Sequence, residues 1–104
     1  MKEIYDIGWS TKAGKDLQKI KQYLIENASE RVADTTLRGI ITVVQPLSEQ
    51  PERYPVYAKL KKYGNFRHIL KWNYRIIYEF TAHQIFVHRV IHTKRNMKKI
   101  TVDR

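Results

Sequence analysis

The stretch NYRIIYEF, residues 73–80, has an apolar residue at every second position from Tyr74 to Phe80 and carries one arginine near its start. Successive side chains of a β-strand point to opposite faces, so this stretch predicts a strand with two different faces. The two sets are Tyr74, Ile76, Tyr78 and Phe80 on one face, and Arg75, Ile77 and Glu79 on the other. We predict that the first set joins the hydrophobic core and that Arg75 projects from the opposite, open face.

The neighbouring segments predict three more strands. FRHIL (66–70) and IFVHRVI (85–91) flank the central stretch and are separated from it by the short connections KWN and TAHQ. This spacing suits successive antiparallel hairpins. On the N-terminal side, Glu3 to Trp9 predicts a first strand, which ends at Ser10 and Thr11; either hydroxyl can cap a following helix.

Apolar residues at helical spacing predict two amphipathic helices, one over Thr11–Asn27 and one from Ser29 to about Pro46. Their apolar stripes are Ala13, Leu17, Ile20 and Leu24, and then Ala33, Leu37, Ile40, Ile41 and Val44. The break between the helices is short, so they are expected to form a hairpin. The proline-rich segment PLSEQPERYPVY (46–57) is predicted to be a connection within the domain.

The order strand, helix, helix, strand, strand, strand predicts an α+β fold. A helical hairpin should cover one face of a mostly antiparallel sheet and leave the other face open. The 104 residues, of which 42% are hydrophobic, are enough for one domain (1–104) with a modest core.

The formal net charge of +10 is confined to the second part of the chain. Residues 1–58 contain 8 Lys and Arg and 8 Asp and Glu, whereas residues 59–104 contain 12 Lys and Arg against Glu79 and Asp103. Such a charge attracts polyanions, so the predicted partner is nucleic acid or an acidic protein.

The sequence also argues against several kinds of site and location. It contains no cysteine, which excludes disulfides, zinc–thiolate sites and cysteine nucleophiles. The histidines do not show the spacing of a metal site, so neither a metal nor a cofactor is predicted. No apolar run resembles a signal peptide or approaches the roughly 18 residues of a membrane span. We therefore expect a cytoplasmic protein without a membrane segment.

Four short segments, in this order and spacing, resemble the RelE/ParE superfamily of toxins from bacterial type II toxin–antitoxin modules. They are AGKDLQKIKQYL (13–24), LSEQPERYP (47–55), NYRIIYEF (73–80) and HRVIHTKRN (88–96). The resemblance covers roughly residues 4–97. It implies a toxin with the α+β fold predicted above, together with a cognate acidic antitoxin that wraps and silences it.

The targets of this superfamily divide into two classes. RelE-like members cut mRNA on the ribosome, whereas ParE-like members poison DNA gyrase and have no conserved nuclease site. The long helical hairpin, the ending VIHTKR (90–95) and the lack of a tyrosine in residues 93–104 favour the ParE-like branch. The open alternatives are a metal-independent, ribosome-dependent mRNA endoribonuclease and a non-toxic basic RNA-binding module.

The resemblance also implies candidate site residues. Arg75 and Arg95 fall where RelE-like enzymes keep two phosphate-binding arginines, and His92 can replace the missing acid or base because imidazoles titrate near neutral pH. These three residues would be catalytic only in a nuclease.

Further basic residues are candidates for binding nucleic acid or a target protein: Arg67, Lys61, Lys62, Lys94 and Lys98. We expect Arg67 to lie beside Arg75 and Arg95 in one cationic cluster. Residues 97–104 are predicted to be a mobile basic tail.

Overall fold

A computed structural model of the protein describes residues 4–94 as a four-stranded sheet with two helices on one face. The elements are β1 (Asp6–Trp9), α1 (Thr11–Asn27), α2 (Glu30–Val44), β2 (Arg67–Lys71), β3 (Tyr74–Phe80) and β4 (Gln84–His92). Two 3₁₀ helices, Gln45–Ser48 and Ala58–Tyr63, lie between α2 and β2. The predicted tail at residues 97–104 lies outside the described residues, as do Arg95 and Lys98.

Serine side chains fix the starts of both helices, as the sequence predicted. The Ser10 hydroxyl accepts a hydrogen bond from the Ala13 N–H (2.9 Å) and donates one to the His88 carbonyl (2.7 Å), which ties α1 to β4. Ser29 caps α2 by accepting from the Val32 N–H (3.0 Å). The helix ends at Val44 and continues as a 3₁₀ turn that contains Pro46, whose ring cannot continue an α-helix.

The strand order in the sheet is β1-β4-β3-β2. Strand β1 pairs with β4 in parallel, while β4–β3 and β3–β2 are antiparallel, so the sheet is mostly antiparallel as predicted. In this register Arg75 lies opposite Leu70 on one side and Ile91 on the other. Because β2 stands last in the strand order, it forms one edge of the sheet.

The main core lies between the helices and the sheet. Its buried members come from α1, α2, the 3₁₀ helix Gln45–Ser48 and the strands β2, β3 and β4: Ala13, Ile40, Val44, Leu47, Ile69, Ile76, Tyr78, Ile85, Val87 and Val90. The Tyr78 hydroxyl donates to the Pro51 carbonyl (2.8 Å), and burial raises the pKa of this tyrosine to about 12. The predicted stripe of α2 was wrong at Ile41, which is 42% exposed.

A second, smaller core covers part of the face that the sequence predicted to be open. It consists of Tyr57, Leu60, Phe66, Ile77 and Ile91, all buried. We call this side of the sheet, turned away from the helices, the outer face. The prediction of an open face was wrong over Ile77, because the connection and the 3₁₀ helix Ala58–Tyr63 supply apolar side chains that follow no regular period.

A β-bulge interrupts the pairing of β3 and β4. Ile77 pairs with Arg89 but Tyr78 pairs with Val87, so His88 is an extra residue in β4. Beyond the bulge, Ile91 belongs to the second core on the outer face.

The turn between β2 and β3 places an aromatic ring on α2. Trp72 has a positive φ of 53°, a conformation that costs energy for a residue with a side chain. Its indole packs against Gly39, where any Cβ would overlap the ring. Glycine in a helix interior costs about 1 kcal/mol relative to alanine, and the close approach of Trp72 explains its presence.

Candidate functional site

The structure places Arg75 on the outer face, partly buried and held by two aromatic neighbours. Its Nε donates to Nδ1 of His68 (3.1 Å), and its guanidinium carbon lies 4.9 Å from the centroid of the Tyr57 ring. The His68 ring stacks on Tyr57 with the centroids 4.4 Å apart. We call these three residues the Arg75 cluster; they fix the direction of the guanidinium before any ligand arrives.

The charge of Arg75 is not neutralised by a neighbouring carboxylate within residues 4–94. Burial, and then the charge of Arg75, lower the pKa of His68. His68 is therefore neutral at pH 7 and can accept the Arg75 hydrogen bond through Nδ1. The remaining N–H groups of the guanidinium are available to an anionic partner.

The lowered pKa of His68 makes stability depend on pH. The unfolded chain takes up the proton at a higher pH than the folded protein, so the stabilisation is complete above about pH 6.5 and is lost as the pH falls through the folded-state pKa. We expect the wild type to lose more stability between pH 7.5 and 5.5 than the His68→Gln variant. Urea unfolding at both pH values measures this difference, with His83→Gln as a control, and equal losses in wild type and His68→Gln would contradict the assignment.

Arg67 does not join the Arg75 cluster. It pairs with Tyr78 of the main core, donates to the Tyr54 carbonyl (2.6 Å) and lies 5.6 Å from the Phe80 ring centroid. These contacts place it on the helix-bearing face. The expected cluster of Arg67 with Arg75 was therefore wrong, because the register of β2 against β3 puts the two side chains on opposite faces.

His92 also lies on the helix-bearing face. Its ring meets the Tyr74 ring edge to face (5.6 Å between centroids), and its Nδ1 accepts from the Lys94 N–H (3.2 Å). Together with Tyr23 of α1, these two rings line a cleft of about 520 Å³. Burial, and then Tyr23, raise the pKa of Tyr74. The structure thus separates His92 from Arg75, because the β-bulge shifts the facing of β4. The assignment of these residues to catalysis in a nuclease stays a prediction.

The remaining described candidates are exposed lysines. Lys61 and Lys62 belong to the 3₁₀ helix Ala58–Tyr63, whose Leu60 is part of the second core, so they lie on the same side of the sheet as Arg75. The Lys62 ammonium lies 5.1 Å from the Tyr63 ring centroid. Lys94 lies just beyond β4, next to His92.

Sequence reasoning missed a buried ion pair between α1 and β4. The Asp16 carboxylate accepts hydrogen bonds from Arg89 Nε (2.7 Å), Arg89 Nη2 (2.9 Å) and the Val90 N–H (3.0 Å). Both side chains are buried. The sequence feature that could have predicted this ion pair is the position of Asp16, three residues after Ala13 and four before Ile20. This spacing puts a carboxylate on the apolar stripe of the helix.

A second buried polar group lies under the outer face. His88 is 2% exposed, and its Nε2 lies 2.8 Å from Glu79 Oε1. The His88 ring makes T-shaped contacts with the rings of Phe66 and Phe86.

Within residues 4–94, no group of three or more His, Cys, Asp or Glu side chains is placed to hold a metal ion. None of the helices in this part of the chain is long and apolar enough to span a membrane.

Comparisons with known proteins identify related sequences and folds. The family model described as "ParE toxin of type II toxin-antitoxin system, parDE" matches residues 7–97. No curated protein matches the chain. Two similar solved structures are a chromosomal ParDE toxin–antitoxin system from P. aeruginosa and the RelBE2 toxin–antitoxin complex from Mycobacterium tuberculosis.

Both structures match this chain over most of its length but share little sequence identity with it. The ParDE chain has a TM-score of 0.66 and 17% identity, and the match covers 86% of this chain and 96% of that one. For RelBE2 the TM-score is 0.58, the identity is 20%, and the coverage is 88% and 94%. At these identities the likeness concerns the fold, which agrees with the α+β fold predicted from the sequence.

Proposed function

This chain belongs to the ParE toxin family of type II toxin–antitoxin systems, and from that premise we propose that it binds and inhibits DNA gyrase and is silenced by an acidic antitoxin. The family match spans residues 7–97, which includes all of the helices and most of every strand. The proposal has two parts, the kind of target and the kind of silencing partner.

The position of Arg75 relative to His92 supports a target that is bound rather than cut. Metal-independent RNA cleavage needs a base, an acid and cationic groups around one phosphate. Arg75 lies on the outer face with Tyr57 and His68, whereas His92 lies on the helix-bearing face with Tyr74. Side chains on opposite faces of a sheet do not reach the same phosphate, so Arg75 and His92 do not form the catalytic pair that ribosome-dependent cleavage would need.

The charge distribution supports an acidic partner. Between Glu52 and Glu79 the chain has no acidic residue, and its cations are Arg53, Lys59, Lys61, Lys62, Arg67, Lys71 and Arg75. Complementary charge speeds association and improves specificity. A negatively charged antitoxin that covers this region would reduce the electrostatic repulsion among these cations.

We expect the purified chain to inhibit gyrase and to leave translated mRNA intact. With relaxed plasmid, gyrase and ATP, supercoiling should stop or cleaved DNA should accumulate as the chain is added. In a parallel translation reaction, primer extension should detect no new cuts in the message. The two assays together separate binding of a protein target from ribosome-dependent cleavage.

The protein encoded by the neighbouring gene is tested as the antitoxin, and it serves as the control for neutralisation of the toxin. Its addition should restore supercoiling, and its co-expression should relieve the growth arrest that the chain alone causes. Site-specific cuts in mRNA together with normal supercoiling would instead assign the RelE-like activity. Harmless expression of the folded chain would contradict a toxin of either kind.

A further inference from the structure

Exposed lysines lie beside Arg75 on the outer face. The 3₁₀ helix Ala58–Tyr63 begins directly after Tyr57, whose ring contacts the Arg75 guanidinium. The exposed cations of this helix are Lys59, Lys61 and Lys62. Within residues 4–94, neither these lysines nor Arg75 form an ion pair with a carboxylate. We call the three lysines together with Arg75 the outer-face cations.

The period of the 3₁₀ helix explains why the lysines project from the fold. Such a helix has three residues per turn, so residues three apart lie on the same side. Tyr57 and Leu60 form the side that packs into the second core, and the Leu60 N–H donates to the Tyr57 carbonyl (3.1 Å). Lys59 and Lys62 share a second side, and Lys61 lies on the third. At about 2 Å per residue the whole helix is about 12 Å long, so the lysines are close neighbours.

The composition of this surface favours phosphate as the ligand of the outer-face cations. Lysine is depleted in protein–protein interfaces, whereas lysine and arginine supply many of the contacts to the phosphates of nucleic acids. Between Glu52 and Glu79 the chain contains no acidic residue that could repel a phosphate. His68 and Tyr57 orient the guanidinium of Arg75, whose planar N–H groups can bind two oxygens of one phosphate.

The aromatic rings beside the outer-face cations, Tyr57 and Tyr63, are already in contact with other groups. Single-stranded nucleic acids are bound by stacking of their bases on exposed aromatic faces. The Tyr57 ring is buried, with His68 stacked on it and the Arg75 guanidinium near its centroid. The Tyr63 ring is half-exposed, but the Lys62 ammonium lies 5.1 Å from its centroid. The surface therefore suits the regular backbone of a duplex, without readout of the bases.

We propose that the outer-face cations bind the phosphate backbone of duplex DNA, independently of its base sequence. In gyrase inhibition the chain then contacts both the enzyme and the DNA that the enzyme holds. This second step rests on the proposed function, whereas binding of duplex DNA by the chain alone does not.

Fluorescence anisotropy of a labelled DNA duplex, titrated with the purified chain, tests the proposal. We expect a dissociation constant of about 10⁻⁴–10⁻⁶ M near physiological salt, as for other contacts that do not depend on sequence. Each neutralised phosphate adds about 0.9 to the slope of affinity against salt on logarithmic scales. With one phosphate for each outer-face cation, the affinity should therefore fall about 150-fold between about 50 and 200 mM salt.

Two triple variants with the same change in net charge locate the contact. The first replaces the lysines of the 3₁₀ helix: Lys59→Gln/Lys61→Gln/Lys62→Gln. The second replaces three exposed lysines of α1, on the helix-bearing side: Lys15→Gln/Lys19→Gln/Lys21→Gln. The affinity of the first variant should fall only about threefold to fourfold over the same salt range, because one cation is left. The second should keep the salt dependence of the wild type, and circular dichroism verifies that both variants fold.

The outcomes separate this proposal from the proposed function. Absence of duplex binding at low salt, or equal salt dependence in the two triple variants, would overturn the outer-face cations as a DNA site. Tighter binding of an RNA duplex than of the DNA duplex would overturn it as well. So would a first variant that loses binding to DNA-free gyrase but not to the duplex, since the surface would then recognise a protein. Duplex binding by the outer-face cations without inhibition of gyrase would support this proposal and overturn the proposed function.

Discussion

Replacement of Asp16 by alanine is expected to lower the free energy of unfolding by about 3–5 kcal/mol. The Asp16 carboxylate accepts two hydrogen bonds from Arg89 and one from the Val90 N–H, and both ionic side chains are buried. Removing the carboxylate leaves a buried guanidinium and a buried N–H without this acceptor. The loss is large because the desolvation of these groups is no longer compensated.

Urea unfolding of three variants tests this prediction. The double variant Asp16→Leu/Arg89→Met removes both charges together and should recover most of the loss, because no uncompensated charge stays buried. Glu26→Ala, at an exposed position of α1, should change stability by no more than about 0.5 kcal/mol. A loss below about 1 kcal/mol in Asp16→Ala would show that α1 does not depend on this pair.

Replacement of Arg75 by alanine is expected to weaken gyrase inhibition by about 30-fold or more while the protein stays folded. Arg75 projects a guanidinium without a carboxylate partner in residues 4–94, and truncation of a central arginine at an interface commonly costs about 2 kcal/mol or more. Within the fold it contributes the His68 hydrogen bond and the contact with Tyr57. Their loss should lower stability by no more than about 1–2 kcal/mol.

The matched variant for this test is Arg75→Lys. Lysine keeps the charge but cannot reproduce the fork of N–H groups that His68 and Tyr57 orient, so it should rescue only part of the activity. Supercoiling assays measure inhibition, and urea unfolding measures stability on the same samples. If Arg75→Ala unfolds the chain, Arg75 is a structural residue and the prediction that it acts in gyrase inhibition is wrong.

The regular elements of this fold could be predicted because each has a local signal. The helix α1 begins and ends where the sequence predicted, since Ser10 supplies a cap and the apolar stripe has a period of one helical turn. Strand β3 likewise has its predicted bounds, because apolar residues occupy every second position from Tyr74 to Phe80. Pairing of β1 with β4 in parallel is a long-range property that no local pattern specifies.

The second core and the surroundings of Arg75 were harder to predict for a different reason. Tyr57, Leu60 and Phe66 lie in or beside irregular backbone, where burial follows from the path of the chain and not from a period. Sequence alternation placed Arg75 on the correct face but could not show that Tyr57 and His68 would hold it. The positions of Arg67 and His92 depended on strand register and on the bulge, which are set by tertiary packing.

The β-bulge at His88 makes the facing of the strand end depend on a single codon. Val87 and Val90 are three residues apart yet both belong to the main core, whereas a regular strand would place them on opposite faces. An in-frame deletion of three nucleotides at His88 would restore regular alternation and turn His92 towards Arg75. Such a deletion would add a second imidazole, that of His92, to the surface that already holds His68 and Arg75, without any change of side-chain chemistry.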